Sequence, residues 1–271
     1  DLPEQFGVVR GSIKAKSDAA FRNLIERFIE FYEVALNNEH WGEQFSIKPD
    51  NSIELFLLFQ GLNEADVEKS WIPLKEWLEK HAQQFSSTIE TFVIPGNAMW
   101  NYDYWEEHHP DLVQLNKDPG HFGTQFWWAP NSGEVSAFWY TYQSRWIPLK
   151  LIQKEARKDF VEMLFKASRH WSLAMHINKG LAGATPDALK RGKETSTNPV
   201  VYDAAALVIL TASKQSIFPK IKGREPNMKE AAEKVASVNA AMKLIREMTP
   251  DSGAYANEAD YFEEDWQQQF W

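Results

Sequence analysis

The stretch from Ser252 to Trp271 carries the side chains best suited to chemistry. In an extended strand, Tyr255 and Asn257 would share one face, and Glu258 and Asp260 the other. A tyrosine hydroxyl beside an asparagine amide suits hydrogen bonding to the edge of a ring or to a sugar. Glu258, if shielded from water, could have the raised pKa that a general base requires. The pattern alone favours a simpler interpretation, an edge strand with a polar outward face.

A second candidate lies between Trp171 and Lys179, where apolar and other residues alternate strictly. His176 and Asn178 fall on the face opposite the apolar side chains, at the end of a predicted strand. They could line a pocket on the open side of a sheet and bind or orient a polar substrate. Spacing alone favours the alternative, a solvated outer face with an incidental histidine.

Other kinds of site are disfavoured. The segment 106–111 and His121 hold metal-capable residue types, but no spacing sets two ligands on one face, so we predict a solvated loop and no metal site. No Gly-x-Ser-x-Gly, Gly-x-Gly-x-x-Gly or Walker motif occurs. The sequence therefore offers neither a nucleophile elbow nor a phosphate cradle of its own.

Strands and helices alternate in the first half of the chain. Ser17 and Asp18 can cap a helix whose apolar residues recur at three- and four-residue spacing. A second predicted helix starts near Asn63. The predicted strands are 8–15, 44–48, 53–59 and 88–94, the middle two forming a hairpin. This order is that of a split β-α-β, ferredoxin-like unit.

The second half shows a similar pattern. The predicted strands are 124–128, 134–142, 171–179, 204–212 and 253–258, with helices from Pro148 and from a cap at Asn227. We therefore predict an α+β fold, in which an antiparallel sheet is backed by helices and the ferredoxin-like arrangement is duplicated. The long connections 95–123 and 180–199 are candidate site loops.

Composition limits the partners. The 271 residues are 44% hydrophobic and 14% aromatic, which is typical of a folded chain with a substantial core. A net charge of −9 disfavours nucleic acid and anionic membranes as partners, and the longest apolar run is far shorter than the ~20 residues that span a bilayer. With no cysteine, the sequence leaves the compartment open, with a slight preference for the cytoplasm.

Composition changes after Pro250, where acidic and aromatic residues dominate and no Lys or Arg occurs. A free tail would not carry so many aromatic residues, so we expect this segment to dock on other structure. The expected division is a main domain at 1–249 and a separate segment at 250–271. Because the chain starts at Asp1 without a leader pattern and stops abruptly at Trp271, we expect a piece of a longer polypeptide.

Three stretches resemble one known family. Residues 253–271, 37–44 and 168–183 are similar to the berberine-bridge-enzyme-like FAD-linked oxidases, a branch of the vanillyl-alcohol-oxidase (VAO) superfamily. The similarity is specific in the C-terminal stretch and in the strand of His176, and diffuse elsewhere. It implies that an N-terminal domain absent from this chain carries FAD. The chain itself would be the substrate domain with the start of the segment that returns to the flavin domain.

The resemblance also implies roles for residues. Tyr255 and Asn257 would border the flavin, and the strands of His176 and Leu207 would face a small-molecule substrate. Plant and oligosaccharide-oxidising relatives tend to have tyrosine at the position of Glu258. Glu258 could replace that phenol as the base, or be structural. Tyr255 is the other residue we place in the catalytic group.

The resulting hypothesis is an oxidase. The intact protein would remove a hydride from an alcohol or amine carbon, a side chain would take the proton, and oxygen would reoxidise the FAD. This chain alone would be inactive. Trp105 and neighbouring aromatic residues could stack on substrate, although packing under the long loop is an equal alternative. The rival hypothesis is a cofactor-free module that binds a carbohydrate or a protein.

Overall fold

A computed structural model describes residues 3–122, 125–134, 137–179, 181–214 and 217–271. The strands are β1 Gln5–Ala15, β2 Trp41–Ile47, β3 Ser52–Gln60, β4 Phe85–Pro95, β5 Val113–Leu115, β6 Phe126–Trp128, β7 Phe138–Pro148, β8 Leu173–Ile177 and β9 Ala204–Lys214. The α-helices are α1 Asp18–Phe31, α2 Glu64–Lys80, α3 Tyr102–His108, α4 Lys154–Ser168, α5 Pro186–Gly192, α6 Met228–Met248 and α7 Trp266–Phe270. A π-helical turn, Tyr32–Leu36, extends α1. No helix in these ranges is long and apolar enough to cross a membrane.

One antiparallel sheet organises the fold. Its seven strands are ordered β4-β1-β3-β2-β8-β9-β7, while β5 and β6 pair separately. The first half of the chain has the order β1-α1-β2-β3-α2. The second half has the similar order β7-α4-β8-β9-α6, with the short helix α5 between β8 and β9. The duplication of a ferredoxin-like unit stays a prediction, but the α+β class with an antiparallel sheet is confirmed.

Three helices begin where the sequence predicts. The side chains of Ser17, Asn63 and Asn227 each accept a hydrogen bond from a backbone N–H in the first turn of α1, α2 and α6. These bonds satisfy donors that have no partner within a helix.

The core lies between one face of the sheet and the helices. The predicted stripe of α1 is buried, and it belongs to the same apolar cluster as Val9, Phe45 and Leu57 of the sheet. Helix α4 packs beside α1 and α6 over this face. Because full burial of a large apolar side chain is worth about 1.5–3 kcal/mol, the stripes fix which face the helices cover. The other face is left for a site.

Some predicted boundaries are wrong. Residues 253–258 do not form a strand: the N–H of Ala254 bonds to Gln269 and that of Tyr255 to the Ser144 hydroxyl, and residues 256–258 make a 3₁₀ turn. The predicted strand 124–128 forms only at β6, outside the main sheet, and residue 124 lies outside the described residues. After Pro148 a 3₁₀ turn precedes α4, which starts only at Lys154.

Two arginines are among the residues that bond to segment 250–271. Arg145 of β7 donates to the side chain of Gln269, at 2.6 Å, and to the backbone carbonyl of Thr249. Arg246 of α6 makes a two-pronged pair with the carboxylate of Glu263, at 2.8 and 2.7 Å. These bonds hold the segment next to β7, which is an edge strand of the sheet.

Candidate functional site

A cavity of about 650 Å³ opens on the face of the sheet that the helices leave uncovered. Four strands contribute Glu43, His176, Leu207 and Trp146 to its lining. The loop 196–198 supplies two hydroxyls and an amide, and the C-terminal segment adds Tyr255, Glu258, Phe270 and Trp271. The cavity therefore joins polar groups that can hydrogen bond to aromatic surfaces that can exclude water.

Strand register explains why residues distant in sequence meet here. Gln44 of β2 lies opposite His176, His176 lies opposite Leu207, and Leu207 lies opposite Trp146 of β7. Directly opposed residues of antiparallel strands point to the same side of the sheet. The alternation predicted for β8 is confirmed, because Leu173, Met175 and Ile177 are buried on the helix side.

Glu43 departs from this alternation. Its neighbours Trp41, Phe45 and Ile47 are buried, and strict alternation would place Glu43 with them. Instead its φ is 65°, in the left-handed region, and the residue lines the cavity. One carboxylate oxygen lies 3.0 Å from the ammonium of Lys179 and the other 3.8 Å from Nδ1 of His176. The irregular backbone thus brings an anion and a cation to the edge of the cavity.

His176 is held in its uncharged form. Burial lowers its pKa below the ordinary value, Lys179 acts in the same direction, and Glu43 and Glu258 oppose them. Near neutral pH the ring is therefore an uncharged donor and acceptor beside the acidic groups. Such a ring can hydrogen bond to a hydroxyl or amine without adding charge.

We expect His176 to make folding less stable in mild acid. Because its pKa is lower in the folded than in the unfolded chain, the unfolded chain binds the extra proton as pH falls below about 6.5, and stability falls with it. In His176→Gln, the free energy of unfolding, measured by urea denaturation at each pH, should change less between pH 7.5 and 5.5 than it does in the wild type. Ala174→Ser, on the same face of β8, is the control and should keep the wild-type slope. An unchanged slope in His176→Gln would contradict the assignment.

The C-terminal residues meet differently from the extended prediction. Asn257 donates from Nδ2 to the Tyr255 hydroxyl at 2.8 Å, so the predicted pair forms. Glu258 was expected on the opposite face, yet it lines the cavity together with Tyr255 because residues 256–258 turn as a 3₁₀ helix. The Tyr142 hydroxyl of β7 donates to Oε1 of Glu258 at 3.2 Å. Tyr255 and Glu258 therefore line the cavity, each hydrogen-bonded to a residue outside the lining, Asn257 and Tyr142 respectively.

Asn178 does not line the cavity, and its predicted contact with substrate is not supported. The backbone turns away from the strand at this residue, where φ is 58°. Its amide nitrogen donates to the carbonyls of Leu36 and Trp41, each at 2.7 Å. An amide occupied by buried carbonyls is not free for a ligand.

Trp105 also lies elsewhere. It is 6% exposed, in a cluster with Ile94 and Val113, and its ring meets Trp128 edge-on at 4.8 Å. Its indole nitrogen donates to the carbonyl of Met99 at 3.3 Å. Of the two interpretations of this loop, packing is the one that describes Trp105. Within the described residues no group of three or more His, Asp or Glu side chains could hold a metal ion.

Several residues of the cavity lining were not predicted from the sequence. Glu43 lies inside the stretch 37–44 that resembles the family, and Ser196 to Asn198 lie in the candidate site loop 180–199, so the sequence did point to both regions. Nothing in the sequence pointed to Trp146, because the predicted strand ended at residue 142. Lys179 was read only as the end of a strand.

Comparison with known proteins identifies the fold. No family model and no curated protein match the sequence. Among solved structures, the VAO-type flavoprotein MtVAO615 from Myceliophthora thermophila C1 aligns with 98% of this chain and 42% of its own, at 14% identity and a TM-score of 0.67. A chitooligosaccharide oxidase aligns with 100% of this chain and 50% of its own, at 15% identity and a TM-score of 0.58.

A carbohydrate oxidase from Microdochium nivale, solved with a substrate analogue, aligns with 99% of this chain and 50% of its own, at 14% identity and a TM-score of 0.55. The chain thus spans about half the length of the structures it matches. At such low identity the likeness establishes the fold, and the fold expected from the sequence resemblance is confirmed.

Proposed function

We propose that this chain, which has the fold of about half of a VAO-type flavoprotein, is the substrate-binding part of an FAD-dependent oxidoreductase. The observation that carries the proposal is that Tyr255, bonded to Asn257, and the carboxylate side chain of Glu258 line the same cavity. The rest of the full-length polypeptide would hold most of the FAD. The substrate would be a small molecule with an alcohol or amine carbon.

The lining of the cavity is compatible with a flavin ring. Trp146 lines it, and the indole N–H of Trp146 is buried without a hydrogen-bond partner among the described residues. A buried donor without a partner costs free energy unless a ligand or water satisfies it. Tyr255 is 38% exposed, so its ring and hydroxyl are open to a neighbouring group. Tyr255 and Asn257 would border the ring, which has an apolar face and a polar edge.

When bound, FAD supplies the oxidation by accepting a hydride from the substrate carbon, with oxygen as the proposed final acceptor. The side chains of the protein remove the proton from the substrate. Glu258 takes it on a carboxylate oxygen from the substrate hydroxyl or amine, while the Tyr142 hydroxyl, 3.2 Å from Oε1, holds that carboxylate in place. Tyr255 is the alternative proton acceptor.

The remaining lining positions the substrate. Uncharged His176 can hydrogen bond to a substrate hydroxyl from the floor of the cavity. Trp146, Phe270 and Trp271 supply apolar surface that excludes water and strengthens the polar contacts inside. Because the substrate is held next to the reacting groups, the entropic part of the activation barrier is lower.

The test is the visible absorption spectrum of the full-length polypeptide purified from its natural source, with its mass. We expect a flavin spectrum on a chain much heavier than the present 31.3 kDa. In that protein Tyr255→Phe should shift the flavin bands, because the hydroxyl next to the ring is lost. Tyr261→Phe, whose ring is 92% exposed, is the matched control and should leave the bands unchanged. A colourless protein of about 31.3 kDa would overturn the proposal in favour of a cofactor-free binding module.

A further inference from the structure

The end of β8 is tied to two other parts of the chain. Just past the strand, the backbone enters the left-handed region at Asn178, and the next residue, Lys179, reaches Glu43 across the edge of the cavity. Asparagine tolerates this conformation better than most residues. The backbone conformation of Asn178 therefore sets the direction of the chain after His176.

The side chain of Asn178 bonds to backbone carbonyls of the loop between the helix and β2. Nδ2 lies 2.7 Å from the carbonyl oxygens of Leu36 and Trp41 and 3.2 Å from that of Asn38. Leu36 ends the π-helical turn that follows α1, and its carbonyl also accepts a hydrogen bond from the N–H of Asn38 at 3.0 Å. The amide group thus connects β8 to the loop that leads into β2, the strand of Glu43.

Tyr32 completes the connection from the helix side. Its hydroxyl is buried, 2.5 Å from the carbonyl oxygen of Ala205 and 3.1 Å from Oδ1 of Asn178. The backbone N–H of Asn178 also donates to the carbonyl of Ala205, at 3.1 Å. Three segments, the end of α1, the end of β8 and the start of β9, therefore meet at one buried hydrogen-bonded network.

We infer that Asn178, supported by Tyr32, is a positioning residue that sets the placement of His176 and Lys179 in the cavity. His176 lies two residues before the network, Lys179 one residue after it, and Glu43 two residues after Trp41, whose carbonyl the network holds. Neither Asn178 nor Tyr32 touches the cavity. They act through the backbone on the residues that do.

The variant Asn178→Gly tests this inference. Glycine adopts the same backbone angle without strain, so only the side-chain bonds are lost. In the full-length polypeptide we expect the pKa of His176, followed by NMR of ¹³C-labelled histidine, to rise by about 0.5 as water reaches the loosened end of β8. The negative charges of Glu43 and Glu258 also raise the pKa of His176, whereas the positive charge of Lys179 lowers it. If Lys179 moved away in the variant, its lowering effect would become smaller. If the proposed oxidase activity is found, KM should rise about fivefold with little change in kcat.

Asn51→Gly is the matched control. Asn51 also has a left-handed φ, 68°, and its side chain bonds to Asp18 and Arg169, but it lies at the β2–β3 turn, away from the cavity lining. We expect a comparable loss of stability in both variants, and a shifted His176 titration only in Asn178→Gly. Equal stability losses with an unchanged His176 titration would overturn the inference, because Asn178 would then be purely structural.

Two provisions keep the test decisive. If Asn178→Gly fails to fold, Tyr32→Phe replaces it, since that variant keeps the amide bonds to the carbonyls and removes only the hydroxyl. A smaller shift of the His176 pKa in the same direction is then expected, and no shift would overturn the inference. The NMR titration needs no flavin and no substrate, whereas the kinetic comparison rests on the proposed function. Failure of the oxidase proposal would therefore leave the titration result intact.

Discussion

Glu258→Gln is expected to lower kcat by about a thousandfold in the full-length protein, because removing a positioned general base typically loses between a hundredfold and ten thousandfold. Glutamine keeps the volume of the side chain, and its amide oxygen can still accept the hydrogen bond from Tyr142. It cannot take a proton. The flavin spectrum should be unchanged, since the proposal places Tyr255 and Asn257, and not Glu258, beside the ring. Steady-state kinetics with a substrate of the intact enzyme would measure the effect.

Glu264→Gln is the matched control, because it removes an exposed carboxylate from the same acidic segment. It should leave kcat within about twofold, as surface changes usually do. If Glu258→Gln also kept kcat within about twofold at full flavin content, the carboxylate would be structural. A large loss in Tyr255→Phe alone would instead identify the phenol as the proton acceptor.

The second large effect is expected at Arg145. Arg145 is 3% exposed, and its guanidinium donates to Thr249, Pro250 and Gln269. Burial, reinforced by Arg246 and opposed by Glu263, lowers its pKa to about 10. Arg145→Met should lower the free energy of unfolding by about 3 kcal/mol, because buried carbonyls lose their donors. Segment 250–271, which carries Glu258, should also loosen. Urea denaturation would measure the first effect, and cleavage by chymotrypsin at the exposed rings of Tyr261 and Phe262 the second.

Arg191→Met is the control for loss of an arginine with an ion pair. Its side chain is 70% exposed and pairs with Asp187 one turn earlier in α5, so the change should cost less than about 0.5 kcal/mol. Arg145→Lys keeps the charge but cannot reach all three partners, and an intermediate loss is expected. Equal stability of Arg145→Met and Arg191→Met, with unchanged cleavage, would show that Arg145 does not anchor the segment.

Much of the fold could be predicted because its signals are local. The stripe of α1, the caps at Ser17, Asn63 and Asn227, and the alternation in β8 depend on spacing within one element, and each is found in the structure. The C-terminal segment failed as a strand because its backbone donors bond to Gln269 and to the hydroxyl of Ser144. Ser144 is distant in sequence and is brought there by the packing of β7, and Gln269 comes near because the segment folds back on itself.

Site residues were harder to predict for the same reason. An asparagine on the polar side of a strand and a tryptophan in a long loop look alike whether they face a ligand or the protein. Asn178 turned out to bond to carbonyls of the loop before β2, and Trp105 to pack against Trp128. The choice depends on which distant segment arrives beside them.

The sequence by itself therefore determined the class of fold, the buried face of α1 and the family it resembles, since periodicity, caps and motifs are properties of neighbouring residues. The tertiary structure alone decided what shares the cavity. Register across β8, β9 and β7 aligned His176, Leu207 and Trp146, and a left-handed φ turned Glu43 of β2 toward Lys179. Strand register and an irregular backbone angle are set by contacts between distant segments, because only those contacts distinguish one pairing of strands from another.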